Sequence, residues 1–342
     1  MLAARILQEQ GIEVVGVSFK SHFFDTKRAR VAAGILGIKF IEIDFSEEHL
    51  KMVKNPAHGY GKNMNPCIDC HGMMLKWAKE FLRGLTSKAL EVGPRGDFDF
   101  IATGEVLGQR PMSQNKEALK TVEKIAGLEN RILRPLSAKL LEETEMEKAG
   151  LVKRGRLFGI KGRSREGQIE LVKKYGIIEY PNSAGGCILT DPEFSQRLIK
   201  LFDNLTESDG NDVELIKSGR VFWFKTRTDA NKIRRKNILV VVGRKKEECE
   251  NLEKLAKKGD IVIELKEMVG PLTIVRIFNF HFSISNEKEI ELEIPRELKM
   301  SELRLGEEKD ENEILKISGL LTGYYATKAR GRSVKLEVHP VK

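Results

Sequence analysis

The chain has 342 residues, of which 41% are hydrophobic, so it can fold into two compact domains that each bury a core. Its longest apolar runs, such as NILVVVG at 237–243, have the length of a strand and exclude a membrane-spanning helix, so no membrane partner is expected. Lys and Arg number 59 against 50 Asp and Glu, and the net charge of +9 favours a polyanionic partner.

The N-terminal run MLAARILQEQG carries Arg5 on its apolar face and has no small-residue cleavage site. It therefore predicts a helix rather than a signal peptide, and we expect the protein to be cytoplasmic. Four cysteines are too few for a disulfide framework in a chain of this length. Metal binding or catalysis is the better expectation for any pair at CxxC spacing.

Residues 1–205 alternate between helical and strand patterns, which predicts an α/β fold with a doubly wound parallel sheet of the Rossmann-like kind. The predicted helices are MLAARILQEQG, TKRARVAAGILG, CHGMMLKWAKEFLRGL and AKLLEETEMEKAGL, and the predicted strands are IEVVGVSF, KFIEIDF and FDFIATG, the last of them buried. Ligands bind at the carboxyl ends of such strands. This rule selects 18–20 and 103–109.

The polar segment DNLTESDGND at 203–212 predicts the domain boundary, so that residues 206–342 form a second, smaller α/β domain. Its predicted strands are DVELIKSG, RVFWFKT, NILVVVG and DIVIELKE, and its one clear helix is KKEECENLEKLAKKG. The acidic EEKDENE at 307–313 indicates an exposed turn or a helix start.

The stretch NPCIDCHGMML places Cys67 and Cys70 at CxxC spacing, and Cys187 lies 117 residues further on, after two glycines. Haem attachment fits the letters Cys-x-x-Cys-His but requires an exported protein. A zinc site with Cys187 and a histidine such as His58 or His71, a redox pair, and an iron–sulfur site with three thiolates all remain open. Cys249 lies within a predicted helix and is interpreted as an ordinary helix residue.

Asp69, between the two cysteines, is either a base or an acid that caps the helix turn. The Gly-punctuated segment KRGRLFGIKGRSR at 153–165 is either solvated surface or a contact for nucleic acid. Further basic clusters at 232–236 and 327–335 favour nucleic acid. The residues expected to contact RNA are Arg154, Arg156, Lys161, Arg163 and Arg165.

Several of these motifs, taken in their order along the chain, resemble those of one known superfamily. TGEVLGQRPMSQN, followed by ILRPLSAKLLEETEMEKAGLV, resembles the tRNA 4-thiouridine synthetases of the PP-loop ATP-pyrophosphatase superfamily, and NPCIDCHGMML is similar to the cysteine segment of the tRNA 2-thiouridylases. The resemblance covers residues 1 to about 200 and implies an adenine-nucleotide α-hydrolase-like (HUP-type) sheet that binds ATP. It implies that Ser18 and Phe19 border the adenine, and that the adenylate site is lined by Thr103, Gly104, Gln109, Ser113 and Gln114.

The resemblance also implies that Cys67, Cys70 and Cys187 carry out sulfur chemistry. They would hold a 4Fe–4S cluster or, alternatively, Cys187 would carry a persulfide that Cys67 or Cys70 resolves. In the family a Ser-Gly-Gly-x-Asp-Ser loop that binds pyrophosphate precedes the helix that MLAARILQEQG resembles. We expect either that the translation start lies further upstream or that ATP cleavage has been lost.

The C-terminal half, with GRVFWFKT and GLLTGYYATKARG, resembles the RNA-associated NFACT-R domain, and Phe222, Trp223, Tyr324 and Tyr325 suit base stacking unless they pack inward. The sequence thus predicts ATP-dependent insertion of sulfur into a tRNA uridine, with sulfide or a sulfur-donor protein as partner. A non-catalytic RNA-binding or sulfur-relay protein is the alternative. A methyltransferase is not supported by any methyl-donor loop, and a homodimer is left open.

Overall fold

The computed structural model describes residues 1–82, 98–180, 187–226, 237–278, 286–303 and 308–341. The chain is mixed α/β and divides into two compact units, Met1–Ser195 and Gln196–Lys342. The division falls inside a helix, before the polar segment 203–212 that the sequence suggested as the boundary.

The first unit pairs its strands in parallel. Its helices are α1 (Leu2–Gln8), α2 (Lys27–Leu36), α3 (Ser46–Lys54), α4 (Cys67–Leu82), α5 (Lys116–Ala126), α6 (Glu145–Lys148) and α7 (Glu166–Lys174), and α8 (Pro192–Asn204) crosses the division. Its strands are β1 (Val15–Lys20), β2 (Lys39–Asp44), β3 (Ile101–Ala102) and β4 (Ile132–Leu133). β1 pairs with β2 and β3 with β4, and among the described residues no hydrogen bonds join the two pairs into one sheet.

Helix ends in this unit follow local rules. α2 ends at Gly37, whose φ of +62° is a left-handed conformation that glycine adopts without strain. α5 begins at Asn115, whose side chain accepts a hydrogen bond from the Ala118 N–H.

α4 and α5 pack closely at Gly72, because a Cβ there would meet the Ile125 side chain at 2.5 Å. This contact fixes the first turns of α4, which carry the cysteine motif.

Two predictions for this unit are wrong in part. AKLLEETEMEKAGL is not one helix: a 3₁₀ turn at Ala138–Leu140 ends in extended backbone at Leu141. A new helix then starts because Thr144 forms a capping box with Glu147. The predicted strand FDFIATG is reduced to β3, and its two residues are partly rather than fully buried.

The second unit has a larger sheet. Its remaining helices are α9 (Gly210–Lys217), α10 (Lys246–Leu255) and α11 (Glu311–Tyr325), and its strands are β5 (Arg220–Thr226), β6 (Asn237–Val242), β7 (Ile261–Leu265), β8 (Thr273–Ile277), β9 (Lys288–Glu293), β10 (Glu308–Lys309) and β11 (Ser333–Pro340). The described strands run in the order β10-β5-β6-β8-β7-β11-β9. All neighbours are antiparallel except β10 and β5.

The predicted strand DVELIKSG is instead the helix α9. Asp209 and Asp212 form a reciprocal capping box that starts the helix, and Val213, Leu215 and Ile216 are buried on it. RVFWFKT, NILVVVG and DIVIELKE are confirmed as strands, and α10 is confirmed as a helix. Asp310 within EEKDENE caps α11, so this part of the acidic run is a helix start.

Candidate functional site

The carboxyl ends of β1 and β3 border one cavity of about 480 Å³. Ser18 and Phe19 line it from β1, and Thr103 and Gly104 line it from the residues after β3. These are four of the seven residues expected to bind the adenylate, and the strand-end rule brings them together. His71 of α4, Glu105 and Asp25 complete the polar part of the lining.

Glu105 is the centre of a buried polar network. Its carboxylate contacts His71 Nδ1 at 3.1 Å, Arg134 Nε at 2.9 Å and Thr103 Oγ1 at 3.0 Å. Burial by itself raises the pKa of the Glu105 carboxyl, but the hydrogen bond from His71 and the charge of Arg134 outweigh burial and lower its pKa to about 2. An ionised Glu105 accepts hydrogen bonds, so His71 Nδ1 carries the proton and donates it.

Three of the expected adenylate residues lie in the loop beyond this cavity and do not line it. Gln109 donates to Gln168 at 3.1 Å. Ser113 and Gln114 are buried, and both of their backbone N–H groups donate to the Arg110 carbonyl. Gly108, at a φ of +75°, donates to the Gln114 carbonyl and closes the loop. The loop that these hydrogen bonds close connects the end of β3 with the start of α5.

The cysteine motif lies at the start of α4, directly before His71. Cys67 is the first residue of the helix, and burial raises its pKa although the charge of Arg110 opposes the shift. Cys70 is buried one turn later, and its pKa is raised above its ordinary value by burial and then by Cys187, Cys67 and Asp69. The three predicted thiols are therefore close enough to influence one another's ionisation.

A buried histidine that sequence reasoning missed contacts Cys70. His49 Nε2 lies 3.2 Å from Cys70 Sγ, and the imidazole ring packs against Phe45 at 4.9 Å and Phe24 at 5.2 Å. Burial and the nearby His22 lower the pKa of His49 to about 4, so the imidazole is neutral at pH 7. No spacing signal identifies this pair, since the two residues lie 21 positions apart on different helices.

Asp69 holds a loop. Its carboxylate accepts from the backbone N–H of His58 at 2.9 Å, and it contacts His58 Nδ1 at 2.7 Å. The side chain of Asp69 is 8% exposed. These contacts anchor the segment around His58 to the first turn of α4, and the role of Asp69 as a base stays a prediction.

The donor set of this site suits a soft metal or an iron–sulfur cluster, because thiolate sulfur is the usual ligand of both. Among the described residues, however, no three His, Cys, Asp or Glu side chains are arranged to hold a metal ion. Cys187 follows directly on 181–186, which lie outside the described residues. The donor types fit a cluster, but the described arrangement is not itself a metal site.

The basic segment 153–165 adjoins the cavity through the loop after Glu105. Leu107 forms a parallel bridge with Lys161, and the Gly162 N–H donates to the Leu107 carbonyl at 2.8 Å. Lys161, Arg163 and Arg165 are exposed beside this loop. Three cations therefore lie next to the residues that lead out of the cavity.

The other two expected RNA contacts take part in the fold. Arg154 is half-buried, pairs with Glu147 at 2.7 Å and donates to the Ala138 and Leu141 carbonyls. Arg156 is exposed and donates to the Glu9 carbonyl at 3.1 Å. Arg154 is thus a poor choice for testing RNA binding, because its loss would disturb packing as well as charge.

In the second unit, arginine side chains cover two of the aromatic rings that the sequence suggested for stacking. The guanidinium of Arg220 lies 4.0 Å from the Tyr325 ring centroid, and that of Arg330 lies 4.3 Å from the Tyr324 centroid. Both tyrosines are partly buried against the hydrophobic core. Trp223 stacks on Phe278 at 6.0 Å. The rings are therefore largely engaged within the unit.

Comparison with known proteins adds no assignment: no protein-family model, curated protein or solved structure matches this chain. Within the described part of the chain, no helix is both long and apolar enough to cross a bilayer.

Proposed function

We propose that this chain is an ATP-dependent tRNA sulfurtransferase that inserts sulfur into a uridine. One observation carries the proposal. The first turns of α4 place Cys67 and Cys70 directly before His71, and His71 lines the cavity at the strand ends. A sulfur site and a cavity suited to a nucleotide therefore share one short piece of helix.

The reaction has two balanced steps. The uridine carbonyl oxygen attacks the α-phosphorus of ATP, forms a P–O bond and releases pyrophosphate. A sulfur nucleophile then forms a C–S bond at the activated carbon, the C–O bond breaks, and AMP leaves with the oxygen. Adenylation is needed because it converts a poor leaving group into AMP.

In this scheme Ser18, Phe19, Thr103 and Gly104 bind the adenylate at the strand ends, and Glu105 orients His71 towards it through the Nδ1 hydrogen bond. Cys67, Cys70 and Cys187 would hold the 4Fe–4S cluster, which supplies the sulfur nucleophile when it is bound. Sulfide or a donor protein would supply sulfur to the cluster. The persulfide route remains the alternative at the same three residues: a donor protein's persulfide would pass its outer sulfur to Cys187 and leave as a thiolate, that sulfur would form the C–S bond as AMP leaves, and Cys67 or Cys70 would then release the thiouridine by forming a disulfide with Cys187.

We further propose that the two parallel strand pairs are halves of one doubly wound, HUP-type sheet. Within the described residues β1 pairs only with β2 and β3 only with β4, yet β1 and β3 border the same cavity. A further parallel strand between them would satisfy both free edges.

A second function is favoured by one feature of the cavity: the described residues that line it include no Lys or Arg. A triphosphate needs cations or clustered backbone N–H groups to balance its charge. Without them the chain would be an RNA-binding or sulfur-relay protein that does not cleave ATP. An in-frame Ser-Gly-Gly-x-Asp-Ser upstream of Met1 in the genomic DNA would favour the enzyme.

Nucleoside mass spectrometry tests the proposed function. In tRNA from a strain that lacks this protein, a thiolated uridine should disappear, because no activated uridine receives sulfur. The protein with Cys249→Ala should restore the nucleoside, and Cys187→Ala should not. An unchanged set of thiolated nucleosides in the deletion strain would reject the sulfurtransferase and leave the relay or RNA-binding function.

The basic segment gives a prediction about RNA. Replacing Lys161, Arg163 and Arg165 together by Ala should reduce the slope of log K against log salt for tRNA binding by roughly 2 to 3, because each phosphate contact contributes about 0.7 to 0.9. The control triple Lys51→Ala, Lys124→Ala and Lys173→Ala removes the same charge from exposed positions elsewhere in the first unit. Equal effects of the two triples would show that the segment is not a specific RNA surface.

A further inference from the structure

A second cavity, of about 450 Å³, lies between α5, the end of β4 and the segment 138–147. Its volume falls within the range of small-ligand pockets. Leu119, Ile132, Leu133 and Ala138 give it an apolar floor, and each of them is almost fully buried. The scheme for sulfur transfer described above makes no use of this cavity.

The wall of this cavity includes Arg134, which is 3% exposed. Its guanidinium is bonded to Glu105, which lines the first cavity, and to Glu123, which lines the second. Its remaining terminal nitrogen, Nη2, has no hydrogen-bond partner among the described residues. A buried, unused donor of this kind usually indicates a missing partner. Arg134 therefore contacts one carboxylate in the wall of each cavity.

The lining of the second cavity carries both signs of charge, with Lys116, Lys120, Arg134 and Lys139 on one side of the balance and Glu117, Glu123, Glu142 and Glu147 on the other. Within the described residues, Glu123 forms an ion pair with Arg134, Glu142 with Lys120 and Glu147 with Arg154. Outside these pairs the lining has two exposed lysines, Lys116 and Lys139, and one exposed carboxylate, Glu117, which leaves an excess of one positive charge. An apolar floor below these two lysines suits a ligand with a flat apolar part and an anion.

The position of the rim indicates where such a ligand would come from. Lys139 Nζ donates to the Gly155 carbonyl at 3.2 Å, so the rim adjoins one end of the basic segment 153–165. The other end of that segment reaches the first cavity through Leu107 and Lys161. Gly155 and Lys161 are six positions apart, so the backbone between them spans at most about 20 Å. A polynucleotide along this segment would reach both cavities.

We propose that the second cavity binds one nucleotide of an RNA chain, with its base on the apolar floor and its phosphate at Lys116 and Lys139. This inference rests on the proposed RNA function, since it takes RNA as the ligand. It assigns the RNA a second point of attachment beside the nucleotide to be modified. Because Arg134 in the wall of the second cavity is bonded to Glu105 in the wall of the first, a ligand bound in one cavity would affect the wall of the other.

Isothermal titration calorimetry with uridine 5′-monophosphate tests the site without ATP, sulfur or turnover. Lys116→Ala and Lys139→Ala should each weaken binding about tenfold, as expected for loss of one charge-assisted contact to phosphate. Leu141→Trp should abolish binding by filling the cavity, which Leu141 lines. Lys124→Ala, on the same helix but outside the lining, should leave the affinity unchanged.

Three outcomes would overturn the proposal. Gly104→Trp places an indole at the lining of the first cavity, where a Cβ on Gly104 meets nothing within 4 Å; loss of the nucleotide in this variant and its retention in Leu141→Trp would place binding in the first cavity. Equal affinity for inorganic phosphate would show that the base contributes nothing. A uridine heptanucleotide whose affinity is unchanged by Leu141→Trp would show that the pocket does not take RNA.

These measurements separate the inference from the proposed sulfur chemistry. Loss of thiouridine synthesis with intact nucleotide binding would reject the enzyme and keep the pocket. Thermal unfolding of Leu141→Trp should match the unsubstituted protein, since Leu141 is only partly buried and its carbonyl contact with Arg154 is made by the backbone.

Discussion

Protein purified without oxygen should be brown and contain about four irons per chain, as a cubane held by thiolates requires. Cys67→Ala, Cys70→Ala and Cys187→Ala should each lose the iron, because three ligands leave none to spare. Cys67 and Cys70 lie one turn apart at the start of α4, and burial and then the nearby Cys187 and Cys67 raise the pKa of Cys70. Iron and acid-labile sulfide analysis of each variant is the measurement.

Cys249→Ala is the matched control, because Cys249 lies on α10 in the other unit and accepts a hydrogen bond from the Leu272 N–H. It should keep its iron. A colourless protein with one zinc per chain, or a protein with no stoichiometric metal, would favour the zinc site or the persulfide route. Full iron content in Cys187→Ala after anaerobic reconstitution would exclude a three-cysteine cluster.

Periodicity and turn residues predicted much of the secondary structure. Gly11 and Gly37 both have positive φ after helices that the sequence placed correctly, and the apolar runs of β6 and β7 are strands. α9 was missed because Asp209 and Asp212 cap one another, a contact between side chain and backbone that outweighs a short strand-like pattern. Local capping decided the structure there, rather than hydrophobicity.

The residues of the candidate site also fall into two groups: those that a simple rule predicted and those that only packing brings together. The strand-end rule selected Ser18 and Thr103, and both line one cavity, although within the described residues β1 and β3 pair with different strands. The contacts from Glu105 to His71 and Arg134 were not predicted, because they join residues 29 to 34 positions apart on different elements. His49 was missed for the same reason. Such pairs depend on how helices pack onto strands, which single-sequence patterns do not specify.

Arg276 in the second unit carries the largest expected effect on stability. It is 4% exposed, and all five of its guanidinium N–H groups have acceptors. Asp260 accepts from the Nε–H and from one Nη2–H, and the Leu255 carbonyl accepts from the other Nη2–H. Asn211 and Asp212 accept from the two Nη1–H groups. Burial lowers the pKa of Arg276, but Asp260 and Asp212 outweigh burial and raise it. The network joins β8 to the start of α9 and to the segment before β7.

Replacing Arg276 by Met should lower the free energy of unfolding of this unit by about 3 to 5 kcal/mol, because Asp212 and Asp260 would remain buried without their cation. Urea unfolding followed by Trp223 fluorescence in a Trp77→Phe background measures this unit alone, since the chain has 2 tryptophans. Arg244→Met removes an i,i+4 pair with Glu248 whose arginine side chain is 41% exposed, and should cost under about 1 kcal/mol. Similar losses for the two variants would mean that water reaches the carboxylates around Arg276, and that this network does not hold α9 against the sheet.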